Sequence, residues 1–268
     1  MRLGFTVPEL LRAGRGGGAL RMGLRRVAED DWLWPAGTFD RAARAAAFDA
    51  HPEAVREQPG AADAVGELAA MLGIDGGLAQ VARAHWEDVC LLQTDGERAP
   101  YRLTAAAVAF PTDWRLDEKM GQGLTAIHAP IHGYAEQLAA GVDHFFNILP
   151  PGEIFGRANW FIVADHAWRY LPQDDPAARF AHVTPANAAT ALFVRCERQT
   201  LRRLPETGAM LFTIGVALAP LGTLAPDLVR RLADALPTLP AGEQQRRHVA
   251  GYAAPLRAYA DGLTDAAA

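Results

Sequence analysis

The stretch from Ala191 to Ala219 limits the fold more than any other part of the chain. Two strand-like runs, Ala191–Gln199 and Ala209–Ala219, are separated only by Thr200–Gly208, where Pro205 and Gly208 mark a turn. So short a connection leaves no room for a crossover helix, and the two runs are expected to pair antiparallel. Trp160–Ala164 precedes them as a third strand candidate. Further upstream, Val89–Leu92 and Tyr101–Phe110 flank the turn-forming Thr94-Asp95-Gly96-Glu97 and read as a hairpin.

Helical spacing surrounds these five strands. Arg41–Phe48, Ala61–Leu72 and Leu78–Trp86 read as helices, whereas Arg12–Ala19 is Gly- and Arg-rich and reads as loop. A helix is expected from Tyr134 to Leu149, with an apolar face at Leu138, Val142, Phe145 and Phe146. Residues 223–264 read as helical, with Leu228, Leu232 and Leu236 spaced by four. The expected class is α+β. The strand order is compatible with a PAS-like domain: a five-stranded antiparallel sheet with helices covering one face and a ligand between the two layers. The expected organisation is an N-terminal extension packed on the core (1–75), the PAS-like core (76–222) and a C-terminal helical extension (223–268).

Composition narrows the function classes. The net charge of −5 argues against a nucleic-acid partner, which calls for a basic excess or stripe. Two cysteines cannot build a disulfide framework or a four-thiolate centre. Met1–Met22 lacks the apolar core of a signal peptide, and the longest apolar stretch, Gly208–Gly222, is too short for a membrane helix. A cytoplasmic protein without membrane partners is the expectation. Lys119 is the only lysine among 26 Lys and Arg residues, so arginine runs here carry little functional information.

Within the Ala191–Gln199 strand, alternation places Leu192, Val194 and Cys196 on one face and Phe193, Arg195, Glu197 and Gln199 on the other. Glu197 is a candidate to hold an ammonium group, and an arginine to hold a cofactor carboxylate; the pattern alone favours the plainer reading, a solvated face or a structural ion pair. His128, in Ile127-His128-Ala129-Pro130, is a candidate metal or haem ligand, or a hydrogen-bonded structural histidine. His132 and His144 are further candidates. Lys119 and Arg157 could pair with an anionic cofactor group, and Asn159 could orient a substrate. Cys90 and Cys196 fit buried structural positions. The chain has no Gly-rich phosphate loop after a strand and no G-x-S-x-G elbow.

Several separated motifs together resemble one family. They are Met22-Gly23-Leu24 with Asp31-Trp32, Asp88-Val89-Cys90-Leu91-Leu92, Phe110-Pro111-x-x-Trp114 with Lys119, Ile127-His128-Ala129-Pro130 and Arg157-x-Asn159-Trp160. The most specific is Arg195-x-Glu197-Arg198-Gln199-Thr200-Leu201-Arg202-Arg203-Leu204-Pro205, ahead of Phe212-Thr213-Ile214. Over about residues 22–222 the chain resembles the α subunit of haem-dependent oxidative N-demethylase. The resemblance implies a PAS-like haem-binding fold and oxidation of a small secondary amine, such as dimethylamine, to methylamine and formaldehyde. It implies haem b and O2 on this chain, with FMN, 2Fe-2S and NADPH on partner reductase subunits. By the same resemblance His128 is the expected proximal ligand, with His132 as the alternative. Arg195, Arg198, Arg202 and Lys119 are expected at the haem propionates, Glu197 at the amine, and Tyr101 and Asn159 in the distal pocket. A non-catalytic haem-binding sensor or interaction module is the competing reading, since a fold does not fix a function.

Overall fold

The computed structural model describes residues 2–14, 17–18, 20–96, 99–173 and 175–264. Arg15, Gly16 and Ala19 of the expected N-terminal loop, and Glu97 of the expected hairpin turn, lie outside the described residues.

The strands are β1 (Arg25–Val27), β2 (Val55–Glu57), β3 (Asp88–Gln93), β4 (Arg102–Ala107), β5 (Ile154–Val163), β6 (Phe193–Arg203) and β7 (Met210–Pro220). They form one antiparallel sheet in the order β1-β5-β6-β7-β3-β4-β2. The class is α+β. The sheet has seven strands where five were expected: β1 and β2, three residues each, pair with the outer long strands β5 and β4. The register of β6 on β7 runs from Phe193↔Pro220 to Arg203↔Met210, so the turn shrinks to the residues between Arg203 and Met210. Gly208 closes it at φ 69°.

The helices are α1 (Val7–Ala13), α2 (Arg41–Ala50), α3 (Ala62–Met71), α4 (Leu78–Ala84), α5 (Leu124–Ile127), α6 (Tyr134–Gln137), α7 (Ala139–Ile148), α8 (Ala188–Ala191), α9 (Pro226–Ala235), α10 (Ala241–Arg246) and α11 (Ala253–Gly262). The expected single helix from Tyr134 is broken at Leu138, whose φ of −122° leaves the helical range. Helix α1 was not foreseen, although its start is written in Thr6-Val7-Pro8-Glu9. The backbone N–H of Thr6 donates to the Glu9 carboxylate at 3.0 Å, one half of a capping box, and Pro8 fits the first turn. None of the described helices is long and apolar enough to cross a membrane.

Helices cover both faces of the sheet rather than one. On the first face, Trp160 and Cys196 pack with Leu10 and Leu11 of α1, Leu228 and Leu232 of α9, and Leu256 of α11. On the second, Leu92, Leu103, Leu201 and Met210 pack under Leu124 of α5 and Phe146 of α7, with Leu149 just beyond it. Strand alternation thus gives β6 two buried faces of different chemistry. The first carries Val194, Cys196, Arg198 and Thr200. The second carries Arg195, Glu197, Gln199, Leu201 and Arg203.

Candidate functional site

The candidate site lies on the second face, where the α5–α6 turn and the middles of β5 and β6 bring polar groups together. Antiparallel register sets Asn159 beside Glu197 and Arg157 beside Gln199. Directly paired residues point to the same face, so these four side chains form one polar patch.

Their hydrogen bonds make a directed chain. Arg157 Nε donates to Gln199 Oε1 at 2.7 Å, Asn159 Nδ2 donates to the same oxygen at 3.4 Å, and Gln199 Nε2 donates to Glu197 Oε2 at 2.9 Å. Arg157 Nη1 donates to the Met22 carbonyl at 3.1 Å. Glu197 is 6% exposed on a strand close to the centre of the sheet, and its second oxygen is not among the fully buried, unbonded atoms. That oxygen makes no hydrogen bond among the described residues and keeps some contact with solvent.

His128 caps the C-terminus of α5 and sits on the other wall. Its Nδ1 lies 2.8 Å from the Leu124 carbonyl. A carbonyl only accepts, so Nδ1 carries the hydrogen and the neutral ring keeps its lone pair on Nε2. Nε2 makes no hydrogen bond among the described residues. Burial, together with the charges of Arg157 and Lys119, pushes the imidazole down to about 4, so it stays neutral at pH 7. The ring of Tyr134 stacks on it, and the turn between them closes through Gly133 at φ 79°. The Tyr134 hydroxyl is buried and unbonded. The same turn carries His132, which is exposed and lies against α10: a side chain at Gly242 would run into it.

Lys119 is 9% exposed, and its ammonium makes no hydrogen bond or ion pair among the described residues. An ammonium without a protein partner near a neutral imidazole suits an anionic ligand group.

The other expected site residues are committed to other partners. Arg195 shares the second face, but all three guanidinium nitrogens are engaged. They donate to Thr112 Oγ1 (2.8 Å) and to the carbonyls of Phe110 (2.8 Å), Pro111 (3.1 Å), Ala167 (3.1 Å) and Trp168 (2.8 Å). This pins the loops after β4 and β5 to the sheet. Arg198 points to the opposite face, where it holds the carbonyls of Gly4, Asp31 and Trp32. Arg202 points the same way, stacked on the Trp32 ring and paired with Glu29 at 2.6 Å. Tyr101 meets Arg203 Nη1 at 3.0 Å beneath Phe146, and Arg203 is six residues along β6 from Glu197, roughly 20 Å at strand rise. Cys90 and Cys196 are buried and their thiols are pushed up by burial, which disfavours a thiolate.

Sequence reasoning missed Tyr134, which no motif marks. It also missed Gln199 as a link, although Gln199 lies two residues after Glu197 in a strand and so shares its face. Helix α10 was also unforeseen as a wall of the site. Glu243 on α10 binds Arg246 at 2.8 and 2.9 Å and Arg247 at 3.0 Å, and Arg247 donates to the Trp160 carbonyl at 2.8 Å.

A family model described as haem-dependent oxidative N-demethylase, alpha subunit-like, matches residues 74–254, about two thirds of the chain. The match contains the α5–α6 turn, β5, β6 and α10. No curated protein matches the chain.

Proposed function

The chain belongs to the haem-dependent oxidative N-demethylase alpha subunit-like family, and from that premise we propose that it is the haem-carrying subunit of an enzyme that removes a methyl group from a small secondary amine. The observation that carries this reading is His128: a neutral imidazole, oriented through Nδ1 by a carbonyl, with Nε2 left free. That is the state a histidine would need to ligate haem iron, with its outer hydrogen bond already in place. The donor set around it fits the group. His128 would ligate the iron, while Lys119 and the unbonded Nη2 of Arg157 would pair with the propionates. The order of the five long strands, with the hairpin's second strand at one edge and the third at the other, supports a PAS-like core holding that ligand between sheet and helices.

When bound, haem supplies the iron at which dioxygen is reduced and the methyl carbon oxidised. For dimethylamine the balance is amine, dioxygen, two electrons and two protons giving methylamine, formaldehyde and water. The chain's own residues bind and orient the amine. Glu197 attracts the protonated form, and its Oε1 accepts an N–H from it. Asn159 stands directly opposite Glu197 on β5. Arg157 and Lys119 would hold the cofactor's carboxylates away from that oxygen. An alpha subunit implies other subunits, and the electrons would come from NADPH through FMN and a 2Fe-2S centre on those partners.

The test is formaldehyde release from dimethylamine by the haem-loaded chain under a chemical reductant and air. Amine-dependent formaldehyde, lost in Glu197→Gln with haem retained, is the expected result. Haem-loaded protein that releases no formaldehyde from any small methylamine would refute the enzyme reading.

A further inference from the structure

We infer that Gln199 is a positioning residue for Glu197, turned by Arg157 so that its amide N–H2 fixes one carboxylate oxygen and leaves the other for a cationic ligand. The inference rests on the reading of Glu197 as the amine-binding carboxylate and specifies how that carboxylate is held.

Donor and acceptor capacity fixes the orientation of the Gln199 amide. Arginine has five N–H donors and no acceptor, so the Gln199 atom facing Arg157 Nε at 2.7 Å must be the oxygen. Asn159 Nδ2, 3.4 Å from that atom, supports the same orientation. The Gln199 nitrogen then faces Glu197, where at 2.9 Å it can only donate. The amide orientation, usually ambiguous, is thus set by a residue on the neighbouring strand. Strand spacing adds rigidity: Gln199 is two residues from Glu197 and directly opposite Arg157.

The charged groups around Glu197 are consistent with this role. Arg157 on β5, Arg195 on β6 and Arg246 on α10 all lie within range of its charge. None of them hydrogen-bonds to it; Gln199 alone among the described residues does. The arginines therefore set the potential, and a neutral amide sets the direction. A direct arginine fork would occupy both oxygens and leave none for an ammonium ion.

The experiment is a double-mutant cycle on the haem-loaded chain, reading the Kd of dimethylammonium chloride by calorimetry, with the absorption spectrum and melting temperature as controls. Gln199→Met keeps the length and removes the amide. It is expected to weaken binding about tenfold, the scale of one hydrogen bond to a charged group. Glu197→Gln is expected to weaken it further, and the double variant to match Glu197→Gln alone, because Gln199 acts only through that carboxylate. KM should rise more than kcat falls. Gln199→Asn, which keeps the amide but falls one methylene short, serves if the methionine variant does not fold, and the same loss is expected of it. Wild-type affinity in the Gln199 variants, or losses that multiply in the double variant, would overturn the positioning role. Unchanged affinity in Glu197→Gln would instead remove Glu197 as the amine site, and the inference with it.

Discussion

His128 and Tyr134 lie face to face, with ring centroids 4.3 Å apart and planes 15° from parallel. The stack fixes the imidazole in one plane, and the Leu124 carbonyl fixes its rotation within that plane. The tyrosine ring therefore holds the histidine, whereas its hydroxyl is buried without a partner. Tyr134→Phe should keep haem affinity close to wild type and leave the apo chain at least as stable, because an orphaned polar group is removed. Tyr134→Ala should weaken haem binding by about tenfold or more through loss of preorganisation. A haem titration of the two variants separates ring from hydroxyl. Equal losses in both would assign the role to the hydroxyl.

The two faces of β6 predict opposite outcomes for two arginines. Arg157→Gln should lower haem affinity by about tenfold or more, as expected for losing a charge-assisted pair. Arg202→Gln should leave it unchanged, since Arg202 is committed to Trp32 and Glu29 on the far side of the sheet. Competition against a haem-binding apoprotein measures both.

Arg44 and Asp88 form the ion pair on which the fold depends. Both are buried, and they meet at 2.6 Å. Arg44 also donates to the Ala82 and Glu87 carbonyls, and Asp88 accepts the N–H groups of Ala109 and Phe110, where the chain leaves β4. Removing one partner leaves a buried charge unpaired, so Arg44→Met should cost about 3–5 kcal/mol in urea unfolding. Much of this should return in the double variant Arg44→Met/Asp88→Asn.

Glu87 gives the fold a pH dependence. Its carboxyl is buried, with one oxygen accepting Trp34 N–H at 2.7 Å and the other unbonded, and burial pushes its pKa up. The folded chain then binds a proton that the unfolded chain has already released. Stability therefore falls as pH rises above the ordinary glutamate value of about 4.3, until the folded carboxyl itself ionises. Glu87→Gln should flatten that slope, measured by urea unfolding between roughly pH 5 and pH 8.

Apolar periodicity made the five long strands legible, but it misplaced their ends for a physical reason. β5 begins at Ile154 instead of Trp160 because Gly156-Arg157-Ala158-Asn159 is small and polar. The site takes the polar side chains on one face, and Leu3 closes over Gly156 on the other. β6 runs on to Arg203 because Arg198 and Arg202 find carbonyls, a carboxylate and a ring in the N-terminal segment, which a local pattern cannot show. The short edge strands were invisible, since three residues carry no period. In the site, Glu197, Asn159, Lys119 and His128 were named as candidates from motifs. Strand parity already set Arg198 apart from Arg195 and Glu197, but which face carries the site depends on where α5–α7 dock, and that is tertiary information.

The most direct measurement is an absorption titration of the purified chain with haem, in parallel with His128→Ala and His132→Ala. The account predicts a stoichiometric Soret band in the wild type and in His132→Ala, and its loss or marked shift in His128→Ala alone. An unchanged spectrum in His128→Ala, or no specific haem binding by the wild type, would contradict it.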